Sequence, residues 1–431
     1  MLTRSLRFPY ARQTASPLGW LAESAAVQAV AASVRAPRLS LVARESVEGG
    51  GSHVELLSAE AAAGRHAAWS DLVRRSLEPN VFLEPDFALP AAQHIIAARR
   101  PVFLVVTDRS RAGKPGELIG LAALHLPRRG TRGLARTWCP AQAALGLPLL
   151  DRTRGGEALD LMLDWLAREQ PGVSAVLFPC MPTAGPVMNL IRTRAAAGNL
   201  PLLTTDQRAR ALLDGNSDVQ ALFSRRLSRK RLKEIRRQRR RLGEAGELAY
   251  VRDEAADVRH ATERFLALEA KGWKGARGTA LLNDPGLATF TRSMTRLLAR
   301  QGKCCIDSLE LDGMPLAMGI VLMSGDQAFL WKVAYDEHFA ALSPGVQFII
   351  DFTLRQTADR AVATTDSCAI PNHPMIDRLW PDRLEIADVL LAPSAAHAEA
   401  FAAAVRRERM RRGLRILAKR AYHAAVGTHP S

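Results

Sequence analysis

Residues 328–355 read AFLWKVAYDEHFAALSPGVQFIIDFTLR, a strand, a polar loop and a helix in that order. Ala328–Ala334 carries Phe329, Trp331 and Val333, the residue types of a buried strand. Tyr335-Asp336-Glu337-His338 ends the apolar run. Ser343-Pro344-Gly345 then has the chemistry of a helix start, with Ser as N-cap and Pro at the first helical position. Gly345 keeps that first turn free of side-chain bulk. Unpaired N–H groups and the positive end of the helix dipole favour an anion such as a pyrophosphate there. Ordinary buried helices carry the same caps, so the stretch fits either a capped core helix or an anion site.

Outward from it, three strands follow one another at Cys304–Leu311, Pro315–Met323 and Ala328–Ala334. Helices over Ala256–Ala270 and Pro285–Arg300 and a strand over Leu248–Arg252 precede them. After the central helix come a strand over Ala363–Asp366, a short helix over Pro374–Trp380 and a strand over Arg383–Leu390. The same order stands earlier in the chain. A strand at Val54–Leu57 and helices over Ala59–Ser76 and up to Arg99 lead to strands at Val102–Thr107, Glu117–Leu126 and Leu134–Cys139. A turn containing Gly113-Lys114-Pro115-Gly116 joins the first two of these. Helix Glu157–Glu169, strand Val173–Phe178, helix Pro186–Ala197 and strand Leu200–Gln207 complete the set. Gly345 lies 189 residues after Gly156, and Pro374 lies 188 after Pro186. FPCMPTAGPVMNLI and DSCAIPNHPMIDRL share a Cys, two prolines and an apolar run. Shared order and spacing over this length point to a tandem duplication. Three successive strands between helices predict an α/β fold with a mixed sheet covered by helices on both faces. The expected organisation is a poorly ordered leader over 1–52, with a short helix near Leu21–Ser33, and halves over 53–210 and 246–393. A basic helix over 215–245 bridges the halves, and a basic amphipathic helix occupies 394–431.

The net charge of +16 is unevenly placed. Arg225–Arg241 holds 11 Lys/Arg against Glu234, and Arg406–Arg420 holds 8 against Glu408. Without these 19 basic and 2 acidic residues, the totals of 59 and 43 fall to 40 and 41, so the remaining chain is neutral. The first could contact RNA phosphates, an anionic membrane surface, acidic polysaccharide or CoA phosphates, and the second either packs on the core or lies on an acidic surface. Few aromatics interleave with them, which argues against sequence-specific DNA readout. Five cysteines without a C-x-x-C pair argue against a zinc ribbon and a disulfide framework, and suit a reducing cytoplasm. The apolar N-terminal segment is interrupted by Glu23 and Gln28, which argues against a cleaved signal.

Gly272 is placed as a helix C-cap, but a cap does not require the Trp273-Lys274-Gly275 that follows it. A Trp between glycines is either a lid over a ligand or a plug on the domain. Attack by an amine or hydroxyl on a carbonyl needs a base for the attacking group and a hydrogen-bond donor for the carbonyl oxygen. Glu269, Asp336 and His338 are the candidate bases. Asp366 ends a short strand where α/β proteins often place polar site residues. Cys368 beside it reads as a small buried apolar group.

LSRKRLKEIRRQRRRL, FLALEAKGWKGARGTAL and WKVAYDEHFAALSPG resemble the BioF2-like (CelD-type) acetyltransferases, GNAT-like proteins related to the Fem peptidyltransferases. The resemblance runs from about Val54 to Ala392. It implies two tandem GNAT-like domains and an acyl group passed from acetyl-CoA or another acyl-CoA to an amine or hydroxyl. The acceptor would be a small molecule or glycan precursor of polysaccharide or cell-envelope synthesis, and no metal would be involved. It further implies that Ser343, Pro344, Gly345 and Val346 hold the CoA pyrophosphate, with Trp273, Lys274, Tyr335 and Asp366 on the substrate. Leu342-Ser343-Pro344-Gly345 stands where GNAT enzymes carry a Gly-rich Q/R-x-x-G-x-G/A loop. A Fem-like alternative would take an aminoacyl group from tRNA. A third reading is a non-catalytic scaffold on a membrane or polysaccharide.

Overall fold

The computed structural model describes residues 51–95, 100–108, 116–128 and 130–426. The leader expected over 1–52, except its last two residues, lies outside them, as do Gly113-Lys114-Pro115 and the end of the helix expected to reach Arg99. The first half consists of β1 (Ser52–Leu57), α1 (Ala59–Ala63), α2 (His66–Arg74), α3 (Pro85–His94), β2 (Val102–Asp108), β3 (Leu118–His125), β4 (Gly133–Thr137), β5 (Leu149–Leu150), α4 (Gly155–Glu169), β6 (Val173–Pro182), α5 (Pro186–Ala197) and β7 (Leu202–Asp214). Two basic helices, α6 (Val219–Arg226) and α7 (Arg229–Ala245), follow. The second half contains β8 (Leu248–Asp253), α8 (Val258–Lys271), α9 (Trp273–Ala276), α10 (Pro285–Ala299), β9 (Cys304–Leu311), β10 (Met314–Ser324), β11 (Gln327–Tyr335), α11 (Pro344–Ala358), β12 (Thr364–Asp366) and β13 (Asp382–Leu391). The long helix α12 (Ala398–Val426) comes last.

Three expected helices differ from what forms. Ala59–Ser76 is two helices, because the chain turns at Gly64. The bridge over 215–245 is also two. Leu227 ends the first, and the Ser228 hydroxyl accepts the Arg231 N–H at 3.2 Å to start the second. Pro374–Trp380 shrinks to the single 3₁₀ turn Ile376–Arg378.

All strands join one 13-stranded mixed sheet in the order β1-β2-β3-β4-β6-β13-β7-β12-β11-β10-β9-β8, with β5 on β3. From either edge inward the two halves supply equivalent strands, until their last strands cross over. β13, from the second half, pairs with β6 of the first, while β7 pairs with β12 of the second. β7 and β13 pair with each other from Asp382↔Leu212 to Leu391↔Leu202. This exchange covers the inner edge of each half-sheet, an edge that would otherwise expose unpaired backbone groups.

Helices cover both faces, as the apolar periodicity requires. One core runs continuously across both halves and centres on Phe82, Phe87, Phe290, Phe329 and Trp331. These rings meet edge-on with centroids 5.2–6.4 Å apart, the preferred aromatic geometry. On the opposite face, the apolar stripe of α6 and α7 (Leu222, Leu227, Ile235) packs with Phe348, Phe352 and Trp380. The first turns of α12 bury Phe401 and Val405 against Leu177 and Leu390.

Candidate active site

The only parallel neighbours in the described sheet are β4 with β6 and β11 with β12. The second pair touches over three residues, Gln327↔Thr364 to Phe329↔Asp366. β11 then continues from Leu330 to Tyr335 while β12 stops, so the strands open into a wedge. The chain leaves β12 through Cys368, whose φ of 50° is the left-handed conformation that non-glycine residues rarely adopt. Two hydrogen bonds hold that turn, Cys368 N–H to Asp366 Oδ1 at 2.9 Å and Ser367 N–H to the Ala211 carbonyl at 3.1 Å.

A cavity of about 630 Å³ fills the wedge. One wall is the edge of β11, from Leu330 to Tyr335, and the other is Ser367-Cys368-Ala369. The start of α11 closes one end with Ser343, Pro344, Gly345 and Val346. Trp273 and Lys274 lie over the opening, with Trp273 46% exposed. All four residues expected at the pyrophosphate position and three of the expected substrate contacts, Trp273, Lys274 and Tyr335, thus line one space.

Ser343 caps α11 differently from expectation. Its φ of 52° and ψ of 53° are left-handed, and its side chain makes no capping hydrogen bond. The backbone carbonyl, not the hydroxyl, accepts the Val346 and Gln347 N–H groups, at 3.0 and 3.1 Å. Gly345 is a tight fit: a Cβ there would lie 3.1 Å from Met375 Sδ and 3.3 Å from the Tyr335 ring.

The remaining sequence candidates stand outside the cavity lining. Glu269 is buried beside it, where its carboxylate accepts Lys274 Nζ at 2.7 Å and the Leu281 N–H at 2.8 Å. It thereby positions Lys274. Asp336 accepts the His338 N–H at 2.9 Å and caps the 3₁₀ turn Glu337–Leu342. The exposed His338 ring packs edge-on to Phe339 at 5.3 Å. Asp366 is buried in a two-pronged ion pair with Arg210 of β7, at 2.7 and 2.6 Å, so its carboxylate braces the wedge wall. Glu337 accepts the Trp273 N–H at 2.8 Å and fixes the start of α9. Arg277 lies over the Trp273 ring at 5.1 Å.

Two cavity residues were not singled out by the sequence. Lys332 sits mid-strand with its ammonium 5.4 Å from the Trp331 ring centre. Burial, and then the nearby Lys274 charge, lower its pKa, against the attraction of Glu269. A lysine inside the apolar run FLWKVAY was the available signal. His373 accepts the Met375 and Ile376 N–H groups at Nδ1, both at 3.4 Å, so its proton resides on Nε2. Burial lowers its pKa, with Asp377 opposing and Lys274 reinforcing the shift. Among the described residues no group of three or more His, Cys, Asp or Glu is placed to hold a metal ion.

Residues 229–371 match the profile of the acetyltransferase (GNAT) domain, a segment running from α7 to the turn after β12. The fold is similar to that in the crystal structure of FemX, with a TM-score of 0.50 at 11% identity over 76% of this chain and 95% of that one. It is also similar to the C-terminal domain of a putative lysylphosphatidylglycerol synthetase from Agrobacterium fabrum, with a TM-score of 0.48 at 12% identity over 79% and 94%. No curated protein matches the chain. The architecture is GNAT-like, and the segment that matches the domain profile contains β11, β12 and the start of α11, which frame the wedge described above.

Proposed function

We propose that this protein is an acyltransferase that takes an acyl group from acyl-CoA in the β11–β12 wedge. It passes the group to an amine or hydroxyl of a small-molecule or glycan-precursor acceptor. The observation that carries this reading is the six-residue edge of β11 left unpaired beside a cavity that ends at the start of α11. An extended thioester arm can pair with that edge as an added strand would, while its phosphates meet the helix N-terminus. In the reaction the acceptor attacks the thioester carbonyl carbon, and Lys332, whose pKa burial lowers, takes the acceptor's proton. The Nε2–H of His373 and the Lys274 ammonium are the cavity donors suited to the oxyanion. The C–S bond then breaks, and Tyr335 is the wall residue able to protonate the departing sulfur.

A second donor, aminoacyl-tRNA, is favoured by one specific observation. The cationic helix α7 is clamped to the start of α11, with Gln238 Nε2 donating to the Ala341 carbonyl at 3.1 Å and Gln347 Nε2 donating to the Ile235 carbonyl at 2.9 Å. A polyanion on α7 would therefore end beside the cavity. The later turns of α12 leave Met410, Leu414 and Leu417 61–65% exposed among arginines, a face suited to an anionic lipid surface. No described helix is long and apolar enough to cross a membrane. Residence at the cytoplasmic face of a membrane is part of the proposal. Titration calorimetry with acetyl-CoA, with aminoacyl-tRNA and with anionic liposomes tests it. Saturable acetyl-CoA binding is expected. Binding of tRNA in its place assigns the second donor, and binding of liposomes alone leaves a non-catalytic scaffold.

A further inference from the structure

The first half carries a cluster with no part in the chemistry above. β4 and β6 pair in parallel with Arg136 opposite Leu177. Cys139 follows the end of β4 by two residues, and Cys180 lies within β6. Both cysteines are free and partly accessible, and their thiols are hydrogen-bonding neighbours. Their settings differ. Cys180 occupies a left-handed turn with φ of 52°. Its N–H donates to Asp388 Oδ1 at 3.1 Å, and its sulfur receives Arg208 Nη2 at 2.8 Å. Cys139 lies with its sulfur 3.6 Å from the Ala143 carbonyl oxygen.

We propose that Cys180 is a hydroperoxide-reactive thiolate that Cys139 resolves as an intramolecular disulfide. The Cys180 sulfur attacks the distal peroxide oxygen and the O–O bond breaks. The departing alkoxide or hydroxide takes a proton from solvent, and the sulfur is oxidised to a sulfenic acid. The Cys139 sulfur then attacks that sulfur, the S–O bond breaks, and the hydroxyl leaves as water with the Cys139 proton. Two thiols and one hydroperoxide give one disulfide, one alcohol or water, and one further water.

The charges facing Cys180 fit this division of labour. The hydrogen bond from Cys139 and the charges of Arg208 and Arg210 outweigh burial and Asp388, and hold the Cys180 thiol at about 6. The same hydrogen bond, with burial, pushes the Cys139 thiol up. The site also connects with the wedge. The loop that begins at Cys139 carries the Gln142 carbonyl, which accepts the Trp331 indole N–H at 2.6 Å, and the Ala144 carbonyl, which accepts Arg210 Nη1 at 3.1 Å. Trp331 belongs to one cavity wall, and Arg210 braces the other through Asp366.

The test is to treat the reduced full-length protein with equimolar hydrogen peroxide and map its peptides by mass spectrometry. A Cys139–Cys180 cross-link is expected before oxidation at Cys304, Cys305 or Cys368. Cys139→Ser should stop at a Cys180 sulfenic acid captured by dimedone. Iodoacetamide labelling of wild-type Cys180 should reach half its maximal rate near pH 6 and shift upward in Arg208→Gln. Equal oxidation of all five thiols, or labelling with an ordinary thiol midpoint in the folded wild type, overturns the proposal. Hydrogen exchange should change on oxidation over both 138–147 and 328–335. An unchanged second segment overturns the link to the wedge.

Discussion

The two halves place a parallel strand pair at the same point of the fold, yet only one leaves space between the strands. In the first half, the chain after β4 turns back into its own wedge. Thr137 Oγ1 donates to the Gly146 carbonyl at 2.6 Å, and Gly146 lies so close to Pro179 that any side chain would overlap that residue's carbonyl. The loop's Leu145 and Leu147 are buried in the core there. In the second half the chain after β11 leaves through the 3₁₀ turn Glu337–Leu342, and about 630 Å³ stays open. A duplicated strand order therefore supplies two frames, and the connection after the fourth strand of each decides which becomes a cavity. The filled wedge is a brace: its loop holds Trp331 and Arg210 from behind.

If the two wedges depend on each other through that brace, cutting it should have the largest effect. Arg210→Met leaves the Asp366 carboxylate buried without its partner, which should lower stability by roughly 3–5 kcal/mol. Chemical denaturation checks this. A loss below about 1 kcal/mol would mean that water reaches the pair and that the halves are braced elsewhere.

The open wedge alone should respond to Lys332→Met. Turnover with acetyl-CoA should fall about 10²-fold if this amine takes the acceptor's proton. Stability should not fall. The folded state lowers this pKa, so it binds the proton less tightly than the unfolded chain. Wild-type stability therefore gains from this group as pH rises between the lowered folded value and the ordinary lysine value, and loses as pH drops through that window. The variant should lack that slope in denaturation curves between neutral and alkaline pH. Unchanged turnover would remove Lys332 from the chemistry.

Much of the element order is legible in the sequence because strand and helix periods are local. The paired signals Pro186 and Pro374, and Cys180 and Cys368, set the duplication in register. The crossing of β7 and β13 is not legible, since either strand could equally close its own half. The choice between those partners is a long-range one. At the site, the turn Ser343-Pro344-Gly345 and the Trp273-Lys274 loop are readable because their residue types are unusual where they stand. Asp336 and His338 looked equally suitable, yet whether a loop side chain faces a cavity depends on a turn conformation that composition does not specify. The pairing of Asp366 is not readable for another reason, because its partner Arg210 lies 156 residues away.

Two glycines give a smaller and more pointed contrast. Gly345→Val would press on Met375 and Tyr335, weakening acetyl-CoA binding about tenfold, the equivalent of about 1.4 kcal/mol, with little loss of stability. Gly146→Val should do the reverse, overpacking the filled wedge at a cost of about 1–3 kcal/mol while ligand affinity in the folded fraction holds. Calorimetry and thermal denaturation of both variants separate the two. Matching effects on both measurements would mean that the wedges are not specialised as described.

The smallest expected effect on the fold comes from the exposed face of α7. Lys233 and Arg236 are exposed, whereas the neighbouring Arg239 is tied to Asp351 at 2.8 Å. Lys233→Glu with Arg236→Glu should therefore shift stability by no more than about 0.5 kcal/mol. Affinity for an anionic surface should drop by about 1 kcal/mol for each cation removed, and the drop should shrink as salt screens the charges. Liposome co-sedimentation at low and high ionic strength reads both. If binding is unaffected while stability falls steeply, α7 acts as a strap between β7 and β8, and its charge has no ligand to meet. If binding falls and stability holds, the cations beside α11 serve a partner that the filled wedge of the first half has no space to receive.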